Sequence, residues 1–338
     1  MTRAIRFVIV ALGRLVCLIA TAWAVGALYF DLPIGWLRAP LAVIYGGGML
    51  AALLFVKGRW RAMGIVAGLF AVVLTWWFTI KPTENRAWQP DVARRAWADL
   101  REDEITLHNV RNCEYRTETD YTPRWETRVV RLSKLTGVDL AITYWGSPWI
   151  AHPIASFQFT DSLPLAISIE TRKAVGQSYS ALRGFYRQYE LIYIPADERD
   201  VIRLRTNYRG EQVYLYHTTA SAERARGIFL EYLAHLNQLH DQPEFYNAVT
   251  DNCTTNIRAA NVAAEGGNAS PWDWRILLNG KGDELLYQRG FIDRSLPFAE
   301  LKARSLINPR AKASQRSPNF SELIRVGLPL PENKNKKT

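Results

Sequence analysis

Histidine and cysteine are scarce in this chain, with five and three among 338 residues. Several catalytic signatures are missing altogether. There is no Walker loop, no His-Glu-x-x-His, no paired Cys-x-x-Cys and no Gly-x-Ser-x-Gly elbow. Their absence argues against phosphate-loop nucleotide chemistry, zincin chemistry, a zinc ribbon and a serine hydrolase built on that elbow. Metal-ligating side chains do not cluster, so neither a metal nor a cofactor is expected. Three cysteines are an odd number and make no disulfide framework. One pairing stays open, Cys113 with Cys253, and it would end any reading of Cys253 as a nucleophile. Cys17 lies in an apolar run and reads as inert.

Acidic residues are nearly missing from the first 80 positions, where seven Lys/Arg accompany the single acid Asp31. That region holds +6 of the net +10. The basic balance therefore reflects a membrane-flanking pattern and gives no case for a nucleic-acid partner. Three apolar runs fill it, Leu12 to Phe30, Ala39 to Val56 and Met63 to Ile80. Each approaches the ~20 residues that cross a bilayer. Arg3, Arg6 and Arg14 precede the first run, and Lys57, Arg59 and Arg61 separate the second from the third. By the positive-inside rule both clusters are cytoplasmic, which puts everything after Ile80 outside. Gly64 and Gly68, and Gly46 to Gly48, read as helix-packing positions.

Four regions follow from composition: a membrane domain over 1–80, a linker with an amphipathic helix over 81–101, an outer domain over 102–308, and a basic, partly disordered tail over 309–338. In the outer domain, alternation predicts strands at Glu104 to Tyr115, Arg124 to Leu132, Val138 to Trp145, Leu191 to Pro195, Val201 to Arg205 and Gln212 to His217. The clearest element is a hairpin, Ile150 to Phe159 and Leu165 to Glu170, around the turn Thr160-Asp161-Ser162-Leu163-Pro164. Ser221 to Leu239 carries an apolar stripe at helical spacing. A further helix starts at Cys253 and stops at Gly266-Gly267, with short helical pieces at Trp272 to Leu278 and Asp283 to Arg289. Arg199, Arg203, Arg205 and Arg209 form a basic run, read either as a solvated strand face or as a contact for an anion or lipid headgroup.

The run Asp251-Asn252-Cys253-Thr254-Thr255-Asn256 carries the most chemistry. Capping residues lead into a helix with a cysteine in its first turn. Unpaired N–H groups and the helix dipole favour a thiolate there and can hold an oxyanion. A cysteine nucleophile needs a base. His152 opens the hairpin and is the candidate. His108 and His217 sit in ordinary strand contexts, and His235 and His240 read as solvent-facing. If Phe159 pairs with Leu165, Ile154 faces Glu170 and His152 faces Arg172. Glu170 is then diagonal to His152 on the face that also carries Ser156 and Ser168, placed to orient the imidazole.

Further segments complete a pattern: Asn109-Val110-Arg111-Asn112, Asp120-Tyr121, Ala151-His152-Pro153, Ser156-Phe157-Gln158-Phe159, Ser168-Ile169-Glu170-Thr171-Arg172 and Phe185-Tyr186-Arg187-Gln188-Tyr189-Glu190. With Asn252 to Asn256 they resemble, over about Glu102 to Ala263, the N-terminal periplasmic domain of Lnb-type lipoprotein N-acyltransferases, within the circularly permuted papain-like thiol enzymes. The resemblance implies an α+β fold, three transmembrane helices followed by a permuted papain-like domain with an antiparallel sheet packed by helices. It implies a protein of the bacterial inner membrane, with its N-terminus cytoplasmic and its C-terminal domain periplasmic. It also implies a thiol acyltransferase that moves an acyl chain from a phospholipid donor to a Cys253 thioester, then to an amine such as a lipoprotein N-terminus. Cys253 matches the nucleophile and His152 the base. Glu170 is added from the hairpin, and Asn252 and Thr254 cap the helix and border the oxyanion. Three spans precede the outer domain and none follows it, so the resemblance carries the cysteine chemistry further than the lipoprotein acceptor. A periplasmic cysteine peptidase or amidase on the same residues is the alternative, and a non-catalytic membrane scaffold a further one.

Overall fold

A computed structural model describes residues 2–83, 85–264, 271–276 and 278–330. The chain divides into two compact units, one of 1–85, 178–190 and 244–248, the other of 86–177, 191–243 and 249–338. The expected stop at Gly266-Gly267 lies outside the described residues.

The first unit contains α1 (Arg3–Asp31), α2 (Gly35–Phe55) and α3 (Arg59–Thr79). All three are long and apolar enough to cross a membrane. Their inward stripes pack Ala24, Ala27, Leu28, Ala42 and Val73 into one cluster and Cys17, Met49, Leu53, Met63 and Val66 into another. Their outer faces leave Phe7, Val43, Ile44, Leu54, Phe55 and Phe78 exposed. Apolar surface on that scale suits lipid rather than water. The packing glycines are not all those expected. Gly64 and Gly68 meet nothing within 4 Å, whereas a Cβ on Gly46 would stand 3.0 Å from Val25.

The second unit is a mixed sheet with helices. Its strands are β1 (Trp97–Arg101), β2 (Glu104–Arg111), β3 (Glu114–Tyr115), β4 (Tyr121–Thr122), β5 (Trp125–Arg131), β6 (Leu135–Tyr144), β7 (Ala151–Phe159), β8 (Leu165–Arg172), β9 (Glu190–Asp197) and β10 (Gln212–His217). The main sheet runs β1-β2-β9-β8-β7-β6-β10, with β5 also on β2, and β3 and β4 form a separate pair. It is not wholly antiparallel, because β2 and β9 run parallel through Arg111 and Ala196. The helices are α4 (Glu198–Arg203), α5 (Ala222–Asp241), α6 (Cys253–Ala264), α7 (Gly282–Gln288), α8 (Phe298–Ser305), α9 (Asn308–Ala313) and α10 (Phe320–Leu323).

The hairpin forms with a different register. Phe157 pairs with Leu165 and Ile154 with Ser168, a shift of two residues from the expected pairing. An even shift preserves the faces, since side chains alternate with period two. One face of β7 sends Phe157 against Phe229 and Tyr232 of α5, with ring centroids 4.8 and 5.5 Å away. The other sends Ile154 into a core with Ala166, Ile192, Val201 and Ile202.

Three expectations fail for physical reasons. The amphipathic helix of the 81–101 linker is replaced by a short 3-10 turn at Pro90–Val92 and by β1, whose Trp97 to Arg101 pair with His108 to Glu104. The strand expected at Val201 to Arg205 is α4 continued by a π-turn, Leu204–Tyr208, because Asp197 caps a helix by accepting from the Arg199 N–H. The tail expected from 309 contributes Ala311, Phe320, Ile324 and Leu328 to the core, while its end, expected to be disordered, lies outside the described residues. Burial of each large side chain among these is worth about 1.5–3 kcal/mol, enough to hold the segment in place. Arg325 adds ion pairs to Asp139 at 2.9 Å and to Glu198 at 2.7 Å.

Candidate functional site

Asn252 builds the start of α6. Its Oδ1 accepts from the N–H groups of Thr254 at 2.9 Å and Thr255 at 3.0 Å, while Thr255 Oγ1 accepts from the Asn252 N–H at 3.0 Å. This reciprocal capping box fixes the first turn and places Cys253 at its first helical position. Asn256 on the same turn accepts from the Tyr193 hydroxyl at 3.1 Å. The thiol is half-buried and free; those of Cys113 and Cys17 are also free but buried. Cys113 is packed among Tyr115 and Leu204, and burial beside Asp200 pushes its thiol up to about 12.

The electrostatics of Cys253 differ from the expected thiolate. Burial pushes the thiol up to about 11, against the lowering effects of the Thr254 hydroxyl, nearby N–H groups and Arg205. Desolvation of the anion thus outweighs the helix terminus. The Thr254 N–H, expected to border the oxyanion, is held by Asn252, which leaves the Cys253 N–H as the donor without a hydrogen bond among the described residues.

His152 is buried near the start of β7. Its Nε2 lies 2.8 Å from Ser168 Oγ, and Ser168 donates to Glu170 Oε1 at 2.9 Å. Because the serine proton points to the carboxylate, its oxygen accepts from Nε2–H. Hydrogen-bond logic therefore assigns the Nε2–H tautomer and leaves the lone pair on Nδ1. Glu170 acts on the imidazole through Ser168, not directly. Glu170 also accepts from Arg205 at 3.2 Å, and Arg205 pairs with Glu211 at 3.0 Å. Burial and then Arg205 push the imidazole down to about 3, so it is neutral at physiological pH. Arg205 and Arg111 hold the Glu170 carboxyl well below its usual range despite burial.

No hydrogen bond joins Cys253 to His152 among the described residues. His152 shares its face of the hairpin with Ser168 and Glu170, whereas Pro153 and Ala155 face a cavity that Thr254 and Ile257 of α6 also line. One side chain links the two elements. Asn279 Oδ1 accepts from the Ala151 N–H at 2.8 Å, and its Nδ2 donates to Thr254 Oγ1 at 2.6 Å. Arg205 exerts its field on both the thiol and the imidazole. The neighbouring Gly280 fits because it has no side chain, since a Cβ would run into the Pro148 carbonyl and the Trp149 backbone. Gly280→Ala is expected to cost about 3 kcal/mol, near the upper end for overpacking, and to change Cys253 alkylation. Thermal melts and alkylation rates check both.

Reading the sequence missed Ser168 as the relay and Asn279 altogether, and saw Arg205 only as part of a basic run. The alternation of the hairpin already placed Ser168 between the right neighbours. Arg205 and Asn279 had no local signal, since their partners are remote in the chain. The basic run is not a solvated strand, because it lies on α4 and the π-turn that continues it. Arg203 and Arg205 are buried, and Arg203 lies 3.6 Å from Glu114. His108 stacks on Trp97 at 4.5 Å, and His217 pairs with Asp139 at 2.7 Å. His235 and His240 are half-buried rather than solvent-facing.

No curated protein and no solved structure matches the chain. Residues 121–280 match the family model described as the Lnb N-terminal periplasmic domain. That span holds His152, Ser168, Glu170, Arg205, Cys253 and Asn279. It begins later than the resemblance in the sequence and runs on to the Asn279–Gly280 junction. Three membrane-capable helices precede the matched span, and together they support a membrane protein with a periplasmic domain similar to that family.

Proposed function

We propose that the chain is a thiol acyltransferase of the bacterial inner membrane, with a permuted papain-like catalytic domain in the periplasm. The Cys253 Sγ attacks an acyl ester carbonyl of a phospholipid, and His152 Nδ1 takes the thiol proton. The Sγ–C bond forms, and the Cys253 N–H donates to the oxyanion. The tetrahedral intermediate then collapses, and the lysolipid oxygen leaves with the proton from His152. In the second half an amine, such as a lipoprotein N-terminus, attacks the thioester. His152 takes the amine proton and returns it to the departing thiol. With thiol and imidazole both neutral at rest, His152 works as a general base during attack, not as a preformed ion-pair partner. The step requires Sγ and Nδ1 within hydrogen-bond distance, a contact absent among the described residues. Such contacts commonly tighten only when substrate binds.

The observation that carries this reading is the relay from His152 through Ser168 to Glu170 and Arg205. It fixes one tautomer and leaves Nδ1 available, which a packing histidine does not require. Intact mass and peptide mapping of protein purified in mild detergent without reductant test it. A long-chain acyl adduct on Cys253 that disappears in His152→Ala is the expected result. A bare thiol in both proteins would overturn acyl transfer and point to hydrolysis of amides or peptides.

A further inference from the structure

We infer that Asn279 is a positioning residue for the Cys253 nucleophile, which turns the Thr254 hydroxyl proton onto Sγ, an inference that rests on the nucleophile of the acyltransferase reading and deepens it. The contacts start on the backbone beside the base. The Ala151 N–H, one residue before His152, donates to Asn279 Oδ1 at 2.8 Å. A backbone N–H can only donate, so the amide oxygen faces Ala151 and the amide nitrogen faces Thr254. That Nδ2 donates to Thr254 Oγ1 at 2.6 Å. The amide nitrogen accepts nothing, so the hydroxyl keeps its own proton for another acceptor. Among the described residues it has one further partner, Cys253 Sγ at 3.9 Å. Hydrogen bonds to an ionised acceptor are shorter and stronger, so this long contact closes as His152 takes the thiol proton and charge gathers on sulfur.

Both ends of the relay are held. The Gly280 N–H donates to the Trp149 carbonyl at 2.9 Å, and the Tyr144 hydroxyl donates to the Gly280 carbonyl at 3.1 Å. Asn279 therefore projects from backbone tied to β6 and to the loop before β7. Thr254 is fixed by its N–H on Asn252 Oδ1 at 2.9 Å. Burial raises the Cys253 thiol, and the Thr254 hydroxyl is the first of the influences that oppose it, ahead of the N–H groups and Arg205. Tyr232 of α5 also shares an electrostatic interaction with the thiol. The variants below alter neither Arg205 nor Tyr232. The two halves of the site are then complementary, since Glu170 turns the Ser168 proton away from His152 and Asn279 turns the Thr254 proton toward Cys253.

A mere structural tie and a proton relay predict opposite signs. Cutting a tie opens the site, and a hydrated thiol alkylates faster, whereas loss of the donor slows alkylation. The readout is the iodoacetamide rate at Cys253 of the full-length protein in mild detergent, mapped by peptide mass, between about pH 7 and pH 10. Asn279→Asp keeps the shape and the acceptor for Ala151, but it accepts from the Thr254 hydroxyl and draws the proton off sulfur. The thiolate fraction at fixed pH is expected to fall about tenfold, one pKa unit, and to fall equally in Thr254→Val. Thr254→Ser is expected to keep the native profile. The added carboxylate also acts on the thiol by its charge, and the double variant separates the two effects. In the Thr254→Val background Asn279→Asp is expected to change the rate by less than about twofold. Should Asn279→Asp not fold, the Thr254→Val and Thr254→Ser pair decides. Faster alkylation in Asn279→Asp, an equal effect in both backgrounds, or identical profiles for the Val and Ser variants overturns the relay. An overturned relay with an acyl adduct on native Cys253 leaves acyl transfer standing, and a slowed profile without any adduct retires acyl transfer and keeps the relay.

Discussion

Cys253→Ala is expected to reduce acyl transfer by at least about a thousandfold, and His152→Ala to a similar floor, because residues that act as one unit show large and non-additive losses. The double variant is expected to be no worse than either single one. Measurement of lysolipid release from vesicles, with each variant at matched protein, checks this. The pH profile gives an independent reading of the same machinery. Burial and Arg205 push His152 down to about 3, while burial pushes the Cys253 thiol up to about 11. Neither group titrates across the middle of the range, so the acylation rate is expected to stay flat from about pH 5 to about pH 9. A bell with a limb near pH 6.5 would mean an imidazole in ordinary solvent, and the buried relay would then not describe the working enzyme. Arg205→Gln should raise the His152 pKa and bring that limb into view.

Acid is expected to destabilise the periplasmic domain strongly through the same histidine. In the folded state His152 stays neutral down to about pH 3, whereas the unfolded chain protonates it near 6.5. Below pH 6.5 the unfolded state therefore binds the extra proton, and stability falls as pH drops. The loss reaches about 3 kcal/mol by about pH 4 and levels off near 5 kcal/mol below the folded pKa, from 1.36 kcal/mol per pKa unit. Glu170 acts in the same direction. Its folded pKa is held low by Arg205 and Arg111, so the stability it contributes is present above about pH 4.5 and is lost as pH falls. Thermal or urea melts between about pH 4 and pH 7 on wild type and His152→Gln check the sign and the size. The variant should be less stable at neutral pH and have a shallower slope. An equal slope in both proteins would show that the imidazole is hydrated.

The candidate site was legible in the sequence wherever local chemistry decides structure. Asn252 and Thr255 are three apart and both polar, which suffices for a capping box at Cys253. His152, Ser168 and Glu170 fell on one face from alternation alone, and the two-residue error in register did no damage because it was even. Ionisation was not legible. The helix terminus argued for a thiolate, yet desolvation keeps the thiol protonated, and burial depends on what α5 and α6 cover. The segment after 309 was misread for a related reason. Its many basic residues suggest solvent, but Ala311, Phe320, Ile324 and Leu328 meet a sheet face far away in sequence.

By itself the sequence determined three apolar helices, the hairpin with its polar face, and a capped helix that opens with Cys253. Each is specified within a few turns or a few strand residues, by hydrophobic spacing and by hydrogen bonds between near neighbours. The tertiary structure alone decided that Ser168 relays Glu170 to His152, that Arg205 pairs with Glu170 while Asn279 ties the start of α6 to the start of β7, and that α6 borders an apolar cavity. The Arg205 and Asn279 contacts join residues tens of positions apart, and the energies of the buried network come from desolvation and ion pairing, which exist only once the chain has buried them.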